Sequence, residues 1–355
     1  MHIWVRAEQR ENEERVGLTP SGVAALIAAG HRVSVEQSSC RAIGIDGYET
    51  AGAAIEPENS WPGAPSDAIV FGLKELPDDG SPLCHRHIMF GHAFKRQADG
   101  PALLRRFKEG GGALYDLEYL TEPDGRRVAA FGYWAGYAGA AVGLKVWAAQ
   151  QAGDLPGPQR VGTYRGRDLL IADLKSDLAA GLANGATPPK AIVIGALGRV
   201  GSGASDLFEA LDLKVTKWDM AETASGGPFP EILDHEIFVN CVLAMPGIPV
   251  FVPKPAIAAQ RRLTVIADVS CDPSSDYNPI PIYDHATTFD DPVIRVSNAP
   301  KLDVMAIDNL PSMLPVESSE DYAAQLLPSL LTLDKIDQGV WARAKAVFDT
   351  HIADL

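Results

Sequence analysis

The chain has 355 residues, 46% of them hydrophobic and 22% charged, with 33 glycines and 26 prolines. That composition excludes a disordered, collagenous or membrane-embedded chain, and at roughly one domain per 150 residues it predicts two domains whose cores need no disulfide or metal. Lysine and arginine number 31 against 46 acidic residues, a net charge of −15, so nucleic acid is repelled and an anionic ligand must be caught by a local cationic cluster.

The N-terminal segment Met1-His2-Ile3-Trp4-Val5-Arg6 has no basic stretch leading into an apolar one, so no secretory signal is expected and the cytoplasm is the expected compartment. Four scattered cysteines, Cys40, Cys84, Cys241 and Cys271, are expected as free, mostly buried thiols. A strand is predicted at Ile3 to Arg6, then a helix that Thr19 can cap, Pro20 can open and Gly30 can close, then a strand at Arg32 to Glu36. Ala68 to Leu73 and Ile88 to Gly91 read as buried strands, with a helix from Pro101 to Glu109 behind them. The charge-free run Phe131 to Leu144 is about 14 residues long, short of the ~20 needed to cross a bilayer, and reads as a buried helix. A polar helix from Arg167 to Asn184 leads to a second series of strands at Ala191 to Ile194, Lys214 to Trp218, Glu236 to Val242 and Leu263 to Asp268. The tail from Ser318 is helical by its apolar spacing and should pack on one of the domains. The fold class is therefore α/β, with two Rossmann-like doubly wound parallel-sheet domains and an active-site cleft expected between them.

The strand Ala191 to Ile194 runs into Gly195-Ala196-Leu197-Gly198-Arg199-Val200-Gly201. Gly198 would let a pyrophosphate approach the backbone, Gly201 would let the helix pack on the strand, and the helix N-terminus offers N–H groups and a positive dipole end. Ala196 stands where the fingerprint prefers its first glycine. The next strand ends at Asp219, a carboxylate placed to accept the ribose 2′-hydroxyl and to repel a 2′-phosphate, which favours NAD over NADP. The bland alternative is a tight strand-to-helix turn without a ligand.

In open α/β sheets ligands sit beyond the carboxyl ends of the strands. Lys74 and His92 each follow a predicted buried strand, so both point into one crevice if those strands are neighbours. Alone, such a lysine is more often a surface residue and such a histidine a structural one. Work as a base requires the Lys74 pKa to fall from about 10.4 toward 7–8. Burial and nearby cations would lower it, and Glu75 and Glu118 would oppose. Arginines suited to carboxylates cluster at Arg6, Arg10 and Arg15 and at Arg126-Arg127. For Arg10 the favoured reading is pairing with Glu11, Glu13 and Glu14 on a solvated face. A metal at His85, His87 and His92 is not expected, because strand alternation sends the first two to one face and the third to the other.

Together, Arg6-Ala7-Glu8, Arg15 to Pro20, Gly72-Leu73-Lys74-Glu75, Gly91 to Lys95, Leu114 to Glu118, Arg126 to Gly132, Gly195 to Arg199, Gly226 to Phe229, Asn278 to Tyr283 and Leu310-Pro311-Ser312 resemble the NAD-dependent, L-lysine-forming saccharopine dehydrogenase family. This family is related to alanine dehydrogenase and transhydrogenase. The resemblance spans nearly the whole chain and implies a substrate domain of residues 1–130 and 322–355 and an NAD domain of residues 131–321. It also implies the reaction, in which saccharopine, NAD and water give lysine, 2-oxoglutarate and NADH. Lys74 matches the base at the secondary amine and His92 the acid/base that activates water. Arg15, Gln97, Glu118, Arg127 and Phe131 match substrate positions; Arg126, Gly198, Arg199, Asp219, Thr223, Leu243, Val269 and Asp308 match cofactor contacts. Val200 replaces a cysteine of fungal members, Leu243 a tyrosine, Arg10 a lysine, and Asn309 a histidine. A related opine or amino-acid dehydrogenase and a catalytically idle NAD-binding homologue are the competing readings. The expected partners are small molecules, with no nucleic acid or membrane, and the chain is expected as a monomer or weak homo-oligomer.

Overall fold

Parallel strands need cover on both faces, and the chain supplies it twice. A computed structural model, describing all residues except 11–12, 95–99, 154–156 and 354, separates Met1–Ala130 with Pro315–Leu355 from Phe131–Leu314. Residues 315–321, assigned above to the NAD domain, lie instead in the first unit. They open the helix Pro315–Leu330, whose Ser319 hydroxyl accepts the Val16 N–H at 2.9 Å and whose Tyr322 ring lies 6.0 Å from that of Phe90.

The first unit is a six-stranded, all-parallel sheet of β1 (His2–Val5), β2 (Arg32–Glu36), β3 (Ala54–Glu56), β4 (Ile69–Phe71), β5 (Arg86–Met89) and β6 (Ala113–Asp116), in the order β3-β2-β1-β4-β5-β6. The chain winds one way from β1 through β3, then crosses to β4 and winds the other way, so the switch point lies between β1 and β4. Neither β3, three residues at the sheet edge, nor β6 stood out as an apolar run. The first helix, Pro20–Ala28, starts with Pro20 in its first turn and stops at Gly30 with φ +89°. Thr19 occupies the N-cap position, but its hydroxyl meets Ser21 Oγ at 3.0 Å and makes no cap bond.

The second unit holds β7 (Ala191–Ile194), β8 (Val215–Trp218), β9 (Ile237–Asn240), β10 (Val265–Asp268), β11 (Ile294–Asn298) and β12 (Lys301–Met305), ordered β11-β12-β10-β9-β7-β8. All pairs are parallel except β11 with β12, an antiparallel pair absent from the sequence reading. Alternate residues serve opposite faces. Ala191, Val193, Ile237 and Val239 join the core under the helix Gly132–Ala152, whereas Ile192, Ile194 and Phe238 join a second core on the other side. Glycines bring that long helix against the helix Arg199–Ala210. A Cβ on Gly136 would lie 1.7 Å from the Val200 carbonyl oxygen, and one on Gly203 1.9 Å from that of Tyr133. Among the described residues no helix is long and apolar enough to cross a membrane.

Candidate active site

Three segments leave the carboxyl edge of the first sheet side by side. Arg6-Ala7-Glu8 follows β1, Gly72-Leu73-Lys74-Glu75 follows β4 and Phe90-Gly91-His92 follows β5. Strands β4 and β5 are parallel neighbours, which meets the condition set for Lys74 and His92 to share a crevice. Lys74 leaves the sheet at the switch point, where open α/β folds place ligands. His92 Nδ1 lies 3.2 Å from Glu75 Oε2, and its φ of +49° puts a non-glycine residue in the sparsely occupied left-handed region. The Gly91 N–H before it donates to Asp116 Oδ2 at 3.1 Å, while Asp116 Oδ1 accepts the Glu118 N–H at 2.8 Å. Burial pushes the Asp116 carboxyl up to about 6 against those two backbone donors.

Burial is also the main influence on Lys74, lowering its pKa, and Arg15 and Arg10 push the same way while Glu13 and Glu75 oppose. The opposing carboxylates are thus Glu13 and Glu75, where the sequence suggested Glu75 and Glu118. Burial would raise the Glu75 pKa, but His92 together with a backbone bond and Arg10 overcomes it and holds the carboxyl at about 2.

Arg15 is buried, and its Nε and Nη2 donate to Glu13 Oε1 and Oε2 at 2.7 and 2.6 Å. Arg10 approaches Glu75 at 3.5 Å. Arg10 is exposed as expected, but its ion pair is with Glu75 after β4; Glu13 instead forms an interior pair with Arg15, and Glu11 lies outside the described residues. The Ala42 N–H bonded to the Glu14 carbonyl and the Val16 N–H bonded to Ser319 hold this stretch inward. Arg126 and Arg127 are exposed, and Arg126 lies 3.9 Å from Asp124. Glu118 is partly buried near Asp116, and Phe131 stands at the head of the long helix in the second unit. Gln97 lies outside the described residues. His85 and His87 share one side of the sheet, ring centroids 6.4 Å apart, with His85 Nε2 3.1 Å from the Ala64 carbonyl. The four cysteines are free, but Cys84 is exposed and the others are only partly buried, because all lie outside the strands and helices.

In the second unit the turn after β7 opens with Gly195 at φ +85°. A Cβ on Gly201 would sit 2.1 Å from the Gly195 carbonyl oxygen, whereas one on Gly198 would meet nothing closer than that oxygen at 3.4 Å. Gly201 is therefore required by the turn itself, and Gly198 leaves space on its exposed side. Asp219, following β8, accepts the Leu197 N–H at 2.9 Å on Oδ2 and the Met220 N–H at 2.9 Å on Oδ1, so the acid and the glycine turn are fastened together. Thr223 donates its hydroxyl to the Asp219 carbonyl at 3.0 Å. Arg199 and Leu243 are exposed, as is Asp308; Val269 is partly buried against Gly139. An open turn at a helix N-terminus, with a partly exposed carboxylate ending the next strand, fits a dinucleotide.

Among the described residues the first unit offers no second such turn. Its β1 leads into Arg6-Ala7-Glu8 rather than glycines. Glu36, the acid ending β2, is fully buried and accepts from Trp4 Nε1 and the Trp61 N–H on Oε1, and from the Ala7 and Asn59 N–H groups on Oε2.

Comparison with known proteins sharpens this picture. The chain is 48% identical to the NAD-dependent, L-lysine-forming saccharopine dehydrogenase of Candida albicans, a match spanning 99% of this chain and 97% of that one. The chain belongs to that family. Its identity to the Neurospora crassa member is 47%, over 99% of this chain and 97% of the relative, and to the Schizosaccharomyces pombe member 44%, over 100% and 99%. Residues 4–138 match the alanine dehydrogenase/PNT N-terminal domain family. A solved L-alanine dehydrogenase has the same fold at TM-score 0.66 and 19% identity, covering 98% of this chain and 94% of that one. A transhydrogenase from Sinorhizobium meliloti follows at TM-score 0.61 and 18% identity, covering 95% of each.

For a saccharopine dehydrogenase scaffold, the residues that the sequence reading passed over are carboxylates serving backbone. Glu8 accepts the N–H groups of both Leu73 and Lys74, at 2.6 and 2.9 Å. Asp116 and Glu13 act similarly on the N–H groups of Gly91 and Arg15, at 3.1 Å each. For Glu8 and Asp116 the sequence signal was position, just past or at the end of a strand.

Proposed function

We propose that this chain oxidises saccharopine with NAD, releasing L-lysine and 2-oxoglutarate, with Lys74 and His92 moving the protons. The observation that carries the reading is the lysine at the switch point of the first sheet, its ammonium form disfavoured by burial and by Arg15. In its neutral form Lys74 takes the proton from the secondary amine, which frees the nitrogen lone pair and lets hydride leave the adjacent carbon. NAD, held by the turn Gly195–Arg199 and Asp219, supplies the hydride acceptor. His92, with its ring set by Glu75, takes a proton from the water that attacks the imine carbon. It returns a proton to the departing nitrogen as the carbon–nitrogen bond breaks. Arg15 and Arg127, with Gln97, Glu118 and Phe131, receive the three-carboxylate substrate; Arg126, Arg199, Thr223, Leu243, Val269 and Asp308 complete the cofactor contacts.

The chain acts on small molecules in a reducing cytoplasm, as a monomer or weak homo-oligomer, and its charge of −15 disfavours nucleic acid as a partner. The deciding experiment is an initial-rate assay of NADH absorbance with saccharopine, alanine and other opines. Turnover confined to saccharopine is expected; turnover on alanine alone, or none with any opine, overturns the reading.

A further inference from the structure

We propose that Glu8, set in place by Arg6, is a positioning residue that holds the Lys74 backbone in register for proton transfer. The inference rests on the reading of Lys74 as the base. Its ground is a clamp on both sides of one residue. Glu8 Oε1 accepts the Leu73 N–H at 2.6 Å and Oε2 the Lys74 N–H at 2.9 Å, while Arg6 Nη2 donates to the Lys74 carbonyl oxygen. Arg6 is tied in turn to its partner, with Nη1 3.4 Å from Glu8 Oε2 and donating to the Ala7 carbonyl at 3.0 Å. Both charged side chains are almost fully buried. A charge-assisted bond to each N–H and a guanidinium on the carbonyl fix the peptide on either side of the Lys74 Cα. Gly72 makes room for the arrangement, since a Cβ there would come 2.3 Å from Arg6 Nε.

The strand end alone would not supply this. Past Phe71 the backbone keeps two bonds to the β5 segment, from the Gly72 N–H to the Ile88 carbonyl and from the Phe90 N–H to the Leu73 carbonyl, but the Leu73 and Lys74 N–H groups have no strand partner. An unbraced loop would let the lysine stem swing its amine toward water, where the ammonium form is favoured. The clamp therefore sets both where the amine points and how dry it stays.

Two effects of losing the Glu8 charge have opposite signs, so a pH profile separates them. Removing a nearby negative charge lowers a lysine pKa, whereas freeing the lysine to reach water raises it. A base that must be neutral gives a kcat/KM that climbs with pH through its pKa. For Glu8→Gln we expect the acidic limb of kcat/KM for saccharopine to move to higher pH. At neutral pH the loss should be about 10- to 100-fold, the scale expected for a misplaced reacting group. NAD affinity should be unchanged, and Glu8→Asp should restore part of both effects.

The experiment is steady-state kinetics from pH 6 to 10 on the full chain, beside Lys74→Met and NAD titration of each variant. A limb that stays put, moves to lower pH, or is scaled down without moving overturns the proposal. If Glu8→Gln does not accumulate folded, the same criterion applies to Glu8→Asp, where an unmoved limb overturns it. Full activity of Lys74→Met would instead sink the base reading itself, which keeps the two failures distinct.

Discussion

Two glycines three positions apart in the turn after β7 should respond to the same substitution in opposite ways. For Gly198→Ala the new Cβ meets no atom closer than 3.4 Å, and the residue already has an ordinary φ of −77° at the N-cap of the helix. Alanine is a poorer N-cap than glycine by roughly 0.5–1 kcal/mol, but it stiffens the unfolded chain by a similar ~0.4–1 kcal/mol. Stability should therefore hardly change. The methyl instead fills the space where a pyrophosphate must approach, and NAD affinity should fall about tenfold, which is about 1.4 kcal/mol. For Gly201→Ala the Cβ would lie 2.1 Å from the Gly195 carbonyl oxygen and 2.5 Å from Ala196 Cα. Neither is the far end of a side chain that can rotate away. Overpacking of that kind costs about 1–3 kcal/mol, with the upper end fitting a backbone clash, and a helix-propensity gain of ~1 kcal/mol offsets part of it. A net loss of about 1–2 kcal/mol lowers Tm by about 2–8 °C in a domain of this size. Thermal unfolding without ligand and NAD titration by calorimetry read the two effects separately. Parental NAD affinity in a folded Gly198→Ala protein would refute the placement of the pyrophosphate.

The remaining predictions concern single side chains. Lys74→Met should lower saccharopine turnover about 10²- to 10⁴-fold, as loss of a general base does, with little change in NAD affinity; unaltered turnover removes Lys74 from the chemistry. Asp219→Ala should weaken NAD and narrow the preference over NADP, because the carboxylate that repels a 2′-phosphate is gone; a parent that uses both cofactors equally contradicts this. His87 is fully enclosed, with no hydrogen-bond partner for either ring nitrogen among the described residues, and its pKa is held well below 6.5 by burial, Arg6, His85 and Arg106. A histidine with a depressed folded-state pKa gives stability that is complete above the unfolded value and is lost as pH falls below it, at up to about 1.4 kcal/mol per pH unit. His87→Phe, which can keep the edge-on contacts with Trp61 and Phe107, should flatten the fall in urea stability between pH 6.5 and 5. An equally steep fall in that variant assigns the acid sensitivity elsewhere.

What the sequence reveals of this molecule follows from where its physics is local. Ala191 to Ile194 and Arg32 to Glu36 come through with their bounds intact, because a buried parallel strand is a run of apolar or β-branched residues bounded by glycine or charge. The pair β11 and β12 does not, since Ile294–Asn298 is only partly buried and its pattern is that of a loop until its antiparallel partner is known. The same distinction holds at the site. Lys74 and His92 are legible as residues one or more steps past apolar strands, but that those strands are neighbours depends on β4 pairing with β5, a contact that no local pattern encodes. The pairing of Arg10 with Glu75 and the interior burial of Arg15 with Glu13 were out of reach for the same reason.

The two sheets differ in strand order but share one feature that serves two chemistries. In each, the first strand lies beside the switch point and the second strand ends in an acid, Glu36 in one and Asp219 in the other. What differs is who uses the carboxylate. Glu36 spends four acceptor bonds on its own unit, tying Ala7, Asn59 and Trp61 around the end of β1, which leaves nothing for a ribose. Asp219 also accepts backbone N–H groups, those of Leu197, Met220 and Glu222, but stays partly open to solvent. Buried acceptors must find donors inside the protein, so an acid drawn into the core becomes scaffold. The core acid of the first unit helps hold the loop that carries Glu8, and Glu8 in turn holds Lys74. A Glu36→Gln variant would turn one acceptor into a donor facing other donors. It should loosen Ala7, and with it the clamp, so that hydrogen exchange quickens at the Leu73 and Lys74 amides while those of Ile192 and Val193 in the second unit keep their protection. Equal exchange at Leu73 and Lys74 in the variant and the parent would show that the two carboxylates do not act in series.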